Sequence, residues 1–286
     1  MAIILYSKQK GVKKMVLYHY CPTETFFKIL ESKEIWFSDV TKSNDSSEIK
    51  YTMDILKEYL LKKRESLYRK LYYSEVEKTL SHYKFFCWCL SEEGDKLSQW
   101  RAYAPSGGVS LGFDFAKLET YISSLSYIPK ECRPREIKYK KRDFINEVLK
   151  TIDFSHPYDE EIQTLLDNIP FYKNKSFGEE KEWRIGFRED LKEQYSPVDK
   201  SESQTSKDDK FSIRYRKCEN GDSIVFYYAF PFPIEALTEI VIGPKCNLNE
   251  YDIMTLLDLS FPNCHIDPSV FSVTIQSIYK SRIPLQ

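Results

Sequence analysis

Residues 173–187 pass from a short basic loop through Gly178 into two-residue alternation. A strand entering at Glu180 turns Trp183, Ile185 and Phe187 to one side and Glu180, Glu182 and Arg184 to the other, because successive strand side chains point to opposite faces. The apolar row demands a core. The opposite row sets two carboxylates and a guanidinium within reach of one another. Taken alone, that row fits a solvated outer face, where ion pairs contribute little.

The rest of the chain must supply the partners of this strand. The pattern predicts further strands at 15–20, 34–38, 85–90, 109–115, 135–139, 223–230, 237–242 and 270–277. Helices are expected from Thr23 to about Ser32, from about Ser46 through 83 in two segments, and at 97–104, 116–124, 143–152, 158–168 and 247–259. No Gly-rich loop opens a helix, so neither a Rossmann nor a P-loop arrangement is indicated. Short strands interleaved with helices point to α+β, a curved pair of sheets with helices outside. Residues 1–14 read as a lead-in and 15–286 as a single domain, with a polar, mobile loop expected at about 189–212.

Charge excludes a global field for nucleic acid or anionic membrane: 42 Lys+Arg against 43 Asp+Glu leave a net charge of −1. Local basic segments remain at Lys62-Lys63-Arg64, Arg133-Pro-Arg135 and Lys138-Tyr-Lys-Lys-Arg142. The seven Cys contain no CxxC pair, and the four His are scattered, so no metal site is expected and the thiols read as reduced. Reduced thiols make the expected location cytoplasmic; the start shows no signal-peptide pattern, and no apolar run is long enough for a membrane span.

Several pieces together resemble a bacterial family, the domain of unknown function numbered 2971. They are Leu17-Tyr-His-Tyr20, Ile35-Trp-Phe-Ser-Asp39 leading to Asn44-Asp45-Ser-Ser-Glu48, Cys89-Leu-Ser91 and Ser98-Gln-Trp-Arg-Ala-Tyr103 before Gly108 and Gly112-Phe113. The later pieces are Lys173-x-x-x-Phe177-x-x-Glu180-x-Glu182-Trp-Arg184 and Glu239-Ile-Val-Ile-Gly-Pro244. The order holds from about residue 15 to 245.

A more distant resemblance suggests a reaction. A His on the first strand, aromatic residues mid-chain and a late Glu-x-Glu look like the layout of ADP-ribosyltransferase folds. In those enzymes NAD lies in a cleft of a split β-sandwich, two short mixed or antiparallel sheets with surrounding helices. The resemblance implies Glu182 as the catalytic carboxylate, with Glu180 orienting the acceptor or taking its proton. It implies His19 on ribose, Tyr103 or Tyr20 on nicotinamide, and Arg101, beside Trp100, on the phosphates. Lys173, Arg184, Asn44 and Asp45 are the expected substrate-binding residues. A carboxylate suits this chemistry because losing nicotinamide leaves positive charge on the ribose C1′, and Arg suits pyrophosphate because its fork binds two oxygens.

The implied function is an NAD-dependent transferase acting on a nucleic acid or protein, as a toxin or anti-phage effector, with an antitoxin or inhibitor as a further partner. Two other readings stay open. One is a nucleic-acid-binding or nucleic-acid-cleaving effector that uses the basic segments without NAD. The other is a non-catalytic interaction module.

Overall fold

The computed structural model describes residues 15–40, 47–62, 67–129, 132–154, 159–190, 212–217, 223–262, 275 and 277–284. The expected lead-in 1–14, Asn44 and Asp45, and most of the loop expected at 189–212 lie outside the described residues.

The chain begins with β1 (Val16–Pro22), α1 (Thr23–Ser32) and β2 (Glu34–Asp39). Pro22 breaks the strand, Glu24 supplies a favourable charge in the first helical turn, and Lys33 closes α1 in the left-handed region at φ 56° with its N–H on the Ile29 carbonyl. Two helices follow, α2 (Ser47–Lys62) and α3 (Leu67–Leu80), then β3 (Tyr83–Ser91), α4 (Leu97–Tyr103) and β4 (Gly108–Asp114). Asp114 ends β4 and caps α5 (Phe115–Ser124) by accepting from the Lys117 N–H.

Beyond α5 come β5 (Arg135–Glu136), α6 (Lys141–Phe144) running into a π-helical turn at Ile145–Leu149, and α7 (Asp159–Asn168). Two 3₁₀ turns, Ile169–Phe171 and Lys175–Glu180, lead to β6 (Glu182–Asp190). The rest is β7 (Arg214–Lys217), β8 (Ile224–Pro231), β9 (Leu237–Ile242), α8 (Glu250–Ser260) and β10 (Ser277–Lys280). A capping box between Asn249 and Asp252 starts α8.

The result is mixed α+β, with a large sheet of ten described strands in the order β10-β9-β4-β1-β3-β2-β8-β7 and β6 attached to β3 and β5. Among the described pairings of named strands, only β9–β10 is parallel. One edge of β3 pairs with β6 over its whole length, Tyr83↔Asp190 to Ser91↔Glu182. The other edge is shared. There β2 pairs at Phe86 and Cys87, and β1 at Ser91 alone, through Tyr18. Between these contacts β1 and β2 part, and the sheet opens.

Both faces of the sheet are covered. One core packs Leu17, Phe37, Trp88, Leu111, Phe113, Ile185 and Ile240 under α1, α5 and α8. A second gathers Leu56, Tyr72, Phe144, Leu149, Leu165 and Phe171 from α2, α3, α6, α7 and the first 3₁₀ turn. No helix among the described residues is long and apolar enough to cross a membrane.

Several expectations change in detail. The strand expected at 135–139 is a two-residue β5, followed by a parallel bridge of Lys138 to Tyr172. The expected 143–152 helix starts at Lys141 and turns π-helical. β7 went unforeseen beside the polar stretch; of the strand expected at 270–277 all but residues 275 and 277 lie outside the described residues, and β10 is Ser277–Lys280. Glu180 is not in β6. It ends a 3₁₀ turn, and Lys181, left-handed at φ 43°, separates it from the strand.

The β1–β4 pairing depends on a missing side chain. A Cβ on Gly108 would lie 2.1 Å from the Cys21 carbonyl oxygen and 2.8 Å from the Ala104 Cβ, whereas at Gly178 the nearest atom is 3.8 Å away. Gly108→Ala is expected to cost about 1–3 kcal/mol and Gly178→Ala within about 0.5 kcal/mol of nothing. Urea denaturation midpoints of the two variants measure the difference.

Candidate functional site

The opening between β1 and β3 places a histidine against the edge of β3 that faces away from β6. His19 Nδ1 lies 3.1 Å from the Cys89 carbonyl oxygen, across the parted edge. A carbonyl only accepts, so Nδ1 carries the proton. Burial pushes the His19 pKa below its ordinary value, outweighing the upward effect of that hydrogen bond. The ring is therefore neutral, and Nε2 presents a lone pair with no partner among the described residues.

His19 lines a cleft of about 60 Å³ together with Tyr18, Tyr20, Gln99 and Tyr103 as well as Glu180 and Glu182. Tyr20 is anchored: its hydroxyl donates to the Glu93 carbonyl (2.6 Å) and accepts from the Lys96 N–H (3.1 Å), with its ring edge-on to Trp100 at 4.7 Å. Tyr18 donates to Glu239 at 2.8 Å. Tyr103 is 37% exposed and keeps an accessible ring at the mouth.

The acidic wall of the cleft is a buried ion cluster. Glu182 is 5% exposed, Arg184 2% and Lys173 4%. Arg184 Nε donates to Glu182 Oε1 at 2.7 Å and its Nη2 to Oε2 at 3.3 Å, while Lys173 Nζ reaches Glu182 Oε2 at 2.9 Å and Glu180 Oε2 at 2.8 Å. The remaining Arg184 fork is fixed by the Pro170 carbonyl at 2.7 Å. Burial would raise the Glu182 pKa, but the charges of Arg184 and Lys173 overcome it and lower the group from 4.5 to about 2. Glu182 is an ionised carboxylate at any physiological pH.

The backbone holds these groups in register. The Glu182 N–H donates to the Tyr139 hydroxyl at 2.8 Å, and Ser91, opposite Glu182 in the ladder, donates through Oγ to the Glu180 carbonyl at 2.7 Å. The left-handed turn at Lys181 lets Glu180 fold back to Lys173 and share the cleft with Glu182, although the two are not on one strand.

Five of the expected residues, His19, Tyr20, Tyr103, Glu180 and Glu182, therefore line one cleft. Lys173 and Arg184 join the site by holding Glu182. Trp100 and Arg101 line a neighbouring pocket on α4 instead, and the Trp100 Nε1 is tied to Asp95 at 2.8 Å. Lys96, Arg101 and Glu179 line a further open groove of about 600 Å³. Asn44 and Asp45 lie outside the described residues. Reading the sequence missed Tyr139, Ser91 and Gln99. Ser91 follows from pairing β3 with β6, but Tyr139 carries no local signal because its position depends on the bridge of Lys138 to Tyr172. Among the described residues, no cluster of His, Cys, Asp and Glu is arranged to hold a metal ion.

Residues 99–185 match the model of a family described as protein of unknown function (DUF2971), less than a third of the chain. The match takes in α4 from Gln99 onward, Lys173, Glu180, Glu182 and Arg184, whereas His19 and Tyr20 precede it. Neither the curated proteins nor the solved structures contain a match to the chain.

The depressed pKa of Glu182 has a consequence for stability. Its folded value of about 2 lies below its ordinary 4.5, so the contribution is fully present above the ordinary value and is lost as pH falls through the folded one. Wild-type stability should decline from about pH 5 towards pH 2. Glu182→Gln should be less stable near neutrality, because Arg184 and Lys173 lose their counter-charge, and should show a shallower acid decline. Urea titrations across that pH range compare the two slopes.

Proposed function

We propose that the chain is an NAD-dependent enzyme of ADP-ribosyltransferase type, working in the cleft where β1 parts from β3. The observation that carries this reading is that a neutral His19 and an ionised Glu182 line one cleft from the two halves of an opened sheet. The halves, β10-β9-β4-β1 on one side and the strands around β3 on the other, share the single register pair Tyr18↔Ser91. This weak join is compatible with the two packed sheets of a split β-sandwich.

The residues present fit the parts of such a substrate. The His19 Nε2 lone pair suits a ribose hydroxyl as donor. Tyr103, an aromatic side chain lining the cleft, is the group to stack on nicotinamide. Arg184 and Lys173 donate three hydrogen bonds to Glu182, and a carboxylate has about four acceptor positions. One position on Oε1 is left for a second ribose hydroxyl. NAD supplies a leaving group whose departure puts positive charge on the ribose carbon, and a carboxylate fixed beforehand stabilises that charge without reorganising. Glu180, held by Lys173, is the group to orient the acceptor or receive its proton.

Size sets one condition. About 60 Å³ admits a pair of water molecules rather than a dinucleotide. The nicotinamide end must therefore widen the cleft, with the phosphates running along the open groove at Lys96 and Arg101. The exposed tie of Lys181 to Glu93 and that of Lys96 Nζ to the Glu179 carbonyl at 2.6 Å are the contacts to yield, since such surface contacts contribute little.

Calorimetry with NAD tests the reading on wild type, Glu182→Gln and His19→Ala, each first shown to be folded. Glu182→Gln should bind within about threefold of wild type yet release no nicotinamide, because its charge acts on the transition state. His19→Ala should bind about tenfold more weakly, the loss of roughly one hydrogen bond. A folded wild type that takes up no NAD would end the proposal.

A further inference from the structure

At the other end of the β3–β6 ladder from the cleft, a groove of about 900 Å³ opens over Gly186 and Arg188. Its volume lies in the range of pockets that hold small organic ligands. Three guanidinium groups line it, those of Arg133, Arg135 and Arg188, against the carboxylates of Asp167 and Asp190.

Two of these guanidiniums are already held in place. The Arg135 guanidinium carbon sits 3.7 Å from the centroid of the Phe171 ring, and its nitrogens donate to the Asp167 carbonyl at 3.0 Å and to Asn168 Oδ1 at 2.7 Å. The Arg188 guanidinium carbon sits 4.8 Å from the Tyr83 ring centroid, with donors on Asp167 and Gln163. Each guanidinium carbon lies over a ring, and a guanidinium fixed in place by a ring and by acceptors can serve as a stacking platform for a nucleobase. The conformational entropy of ordering these long side chains has been spent on folding, so it is not charged again to a ligand.

Arg133 differs. It is exposed, has no hydrogen bond or ion pair among the described residues, and its charge repels that of Arg135. An anion bridging the two would relieve that repulsion, and a phosphate matches the guanidinium fork.

We propose that this groove binds a nucleotide unit, with its base on the plane of Arg135 or Arg188 and its phosphate on Arg133. The ligand is a free nucleotide or one residue of a single strand, chemistries that share the same base and phosphate. The inference stands apart from the NAD reading of the cleft, since it uses none of the cleft residues.

Fluorescence anisotropy of a labelled hexauridylate strand on the full chain tests it, with adenosine monophosphate as competitor. Arg133→Gln is the variant, because an exposed side chain can be changed without disturbing the core. Lys280→Gln, exposed on β10, is the control. Wild type should bind the strand more weakly as salt rises. Arg133→Gln should bind about tenfold more weakly, with a log–log salt slope shallower by about 0.7, one phosphate contact on a single strand. Lys280→Gln should match wild type. Full displacement by the mononucleotide assigns a free nucleotide, and displacement only by unlabelled strand assigns a polymer. Absence of binding to both probes at low salt, or equal binding by wild type and Arg133→Gln, overturns the proposal.

Discussion

The arrangement of this protein turns on one buried carboxylate. Removing Glu182, Arg184 and Lys173 from water costs several kcal/mol per ion, and their attraction offsets this only where geometry is close and the remaining donors are satisfied. Both conditions hold here: Glu182 accepts from both cations, and the Arg184 fork is completed by the Pro170 carbonyl. That last bond ties the 3₁₀ turn after α7 to β6. Lys138 then receives the same segment through its bonds to Phe171 and Lys173. The helical layer is thus docked to the sheet through polar contacts at one end and through the second apolar core elsewhere.

A second constraint shapes the cleft. β3 has only one free edge once β6 is paired along its full length, and both β1 and β2 claim it. They cannot lie side by side on the same residues, so they meet β3 at separate points. The stretch between would leave backbone groups unpaired in a buried place, which is costly. His19 answers for Cys89 there, and in doing so fixes its own tautomer. The cleft and its neutral imidazole follow from one strand being shared by two.

The sequence made some of this legible and hid the rest for physical reasons. Alternation located β3, β6, β8 and β9 because each buries at least one apolar row, and the same period put Glu182 and Arg184 on one face. The reading of that face as solvated fails, since coverage by Pro170 and Lys173 comes from a segment that alternation does not describe. Glu180 was misplaced into β6 because a left-handed Lys leaves no signature of the kind Gly or Asn would. Tyr139 was invisible for a similar reason: its hydroxyl reaches Glu182 only after a one-residue bridge has positioned it. Trp100 and Arg101 belong to a short helix whose faces diverge, so neighbours in sequence line different pockets.

The face of β6 that begins with Glu182 continues through Arg184 and Gly186 to Arg188, about 20 Å along at ~3.4 Å per residue. Its two ends border different cavities, and the register with β3 keeps their separation fixed. Between them the segment Asp167–Pro170 is gripped from both sides. Arg188 and Arg135 hold Asp167, and Arg184 holds Pro170. Displacing either outer arginine from Asp167 would load the same turn that supplies the Arg184 acceptor. Arg184 in turn is one of the two cations keeping Glu182 ionised. The groove and the carboxylate therefore lean on one short turn, with Pro170, which lines the groove and accepts from Arg184, as the member common to both.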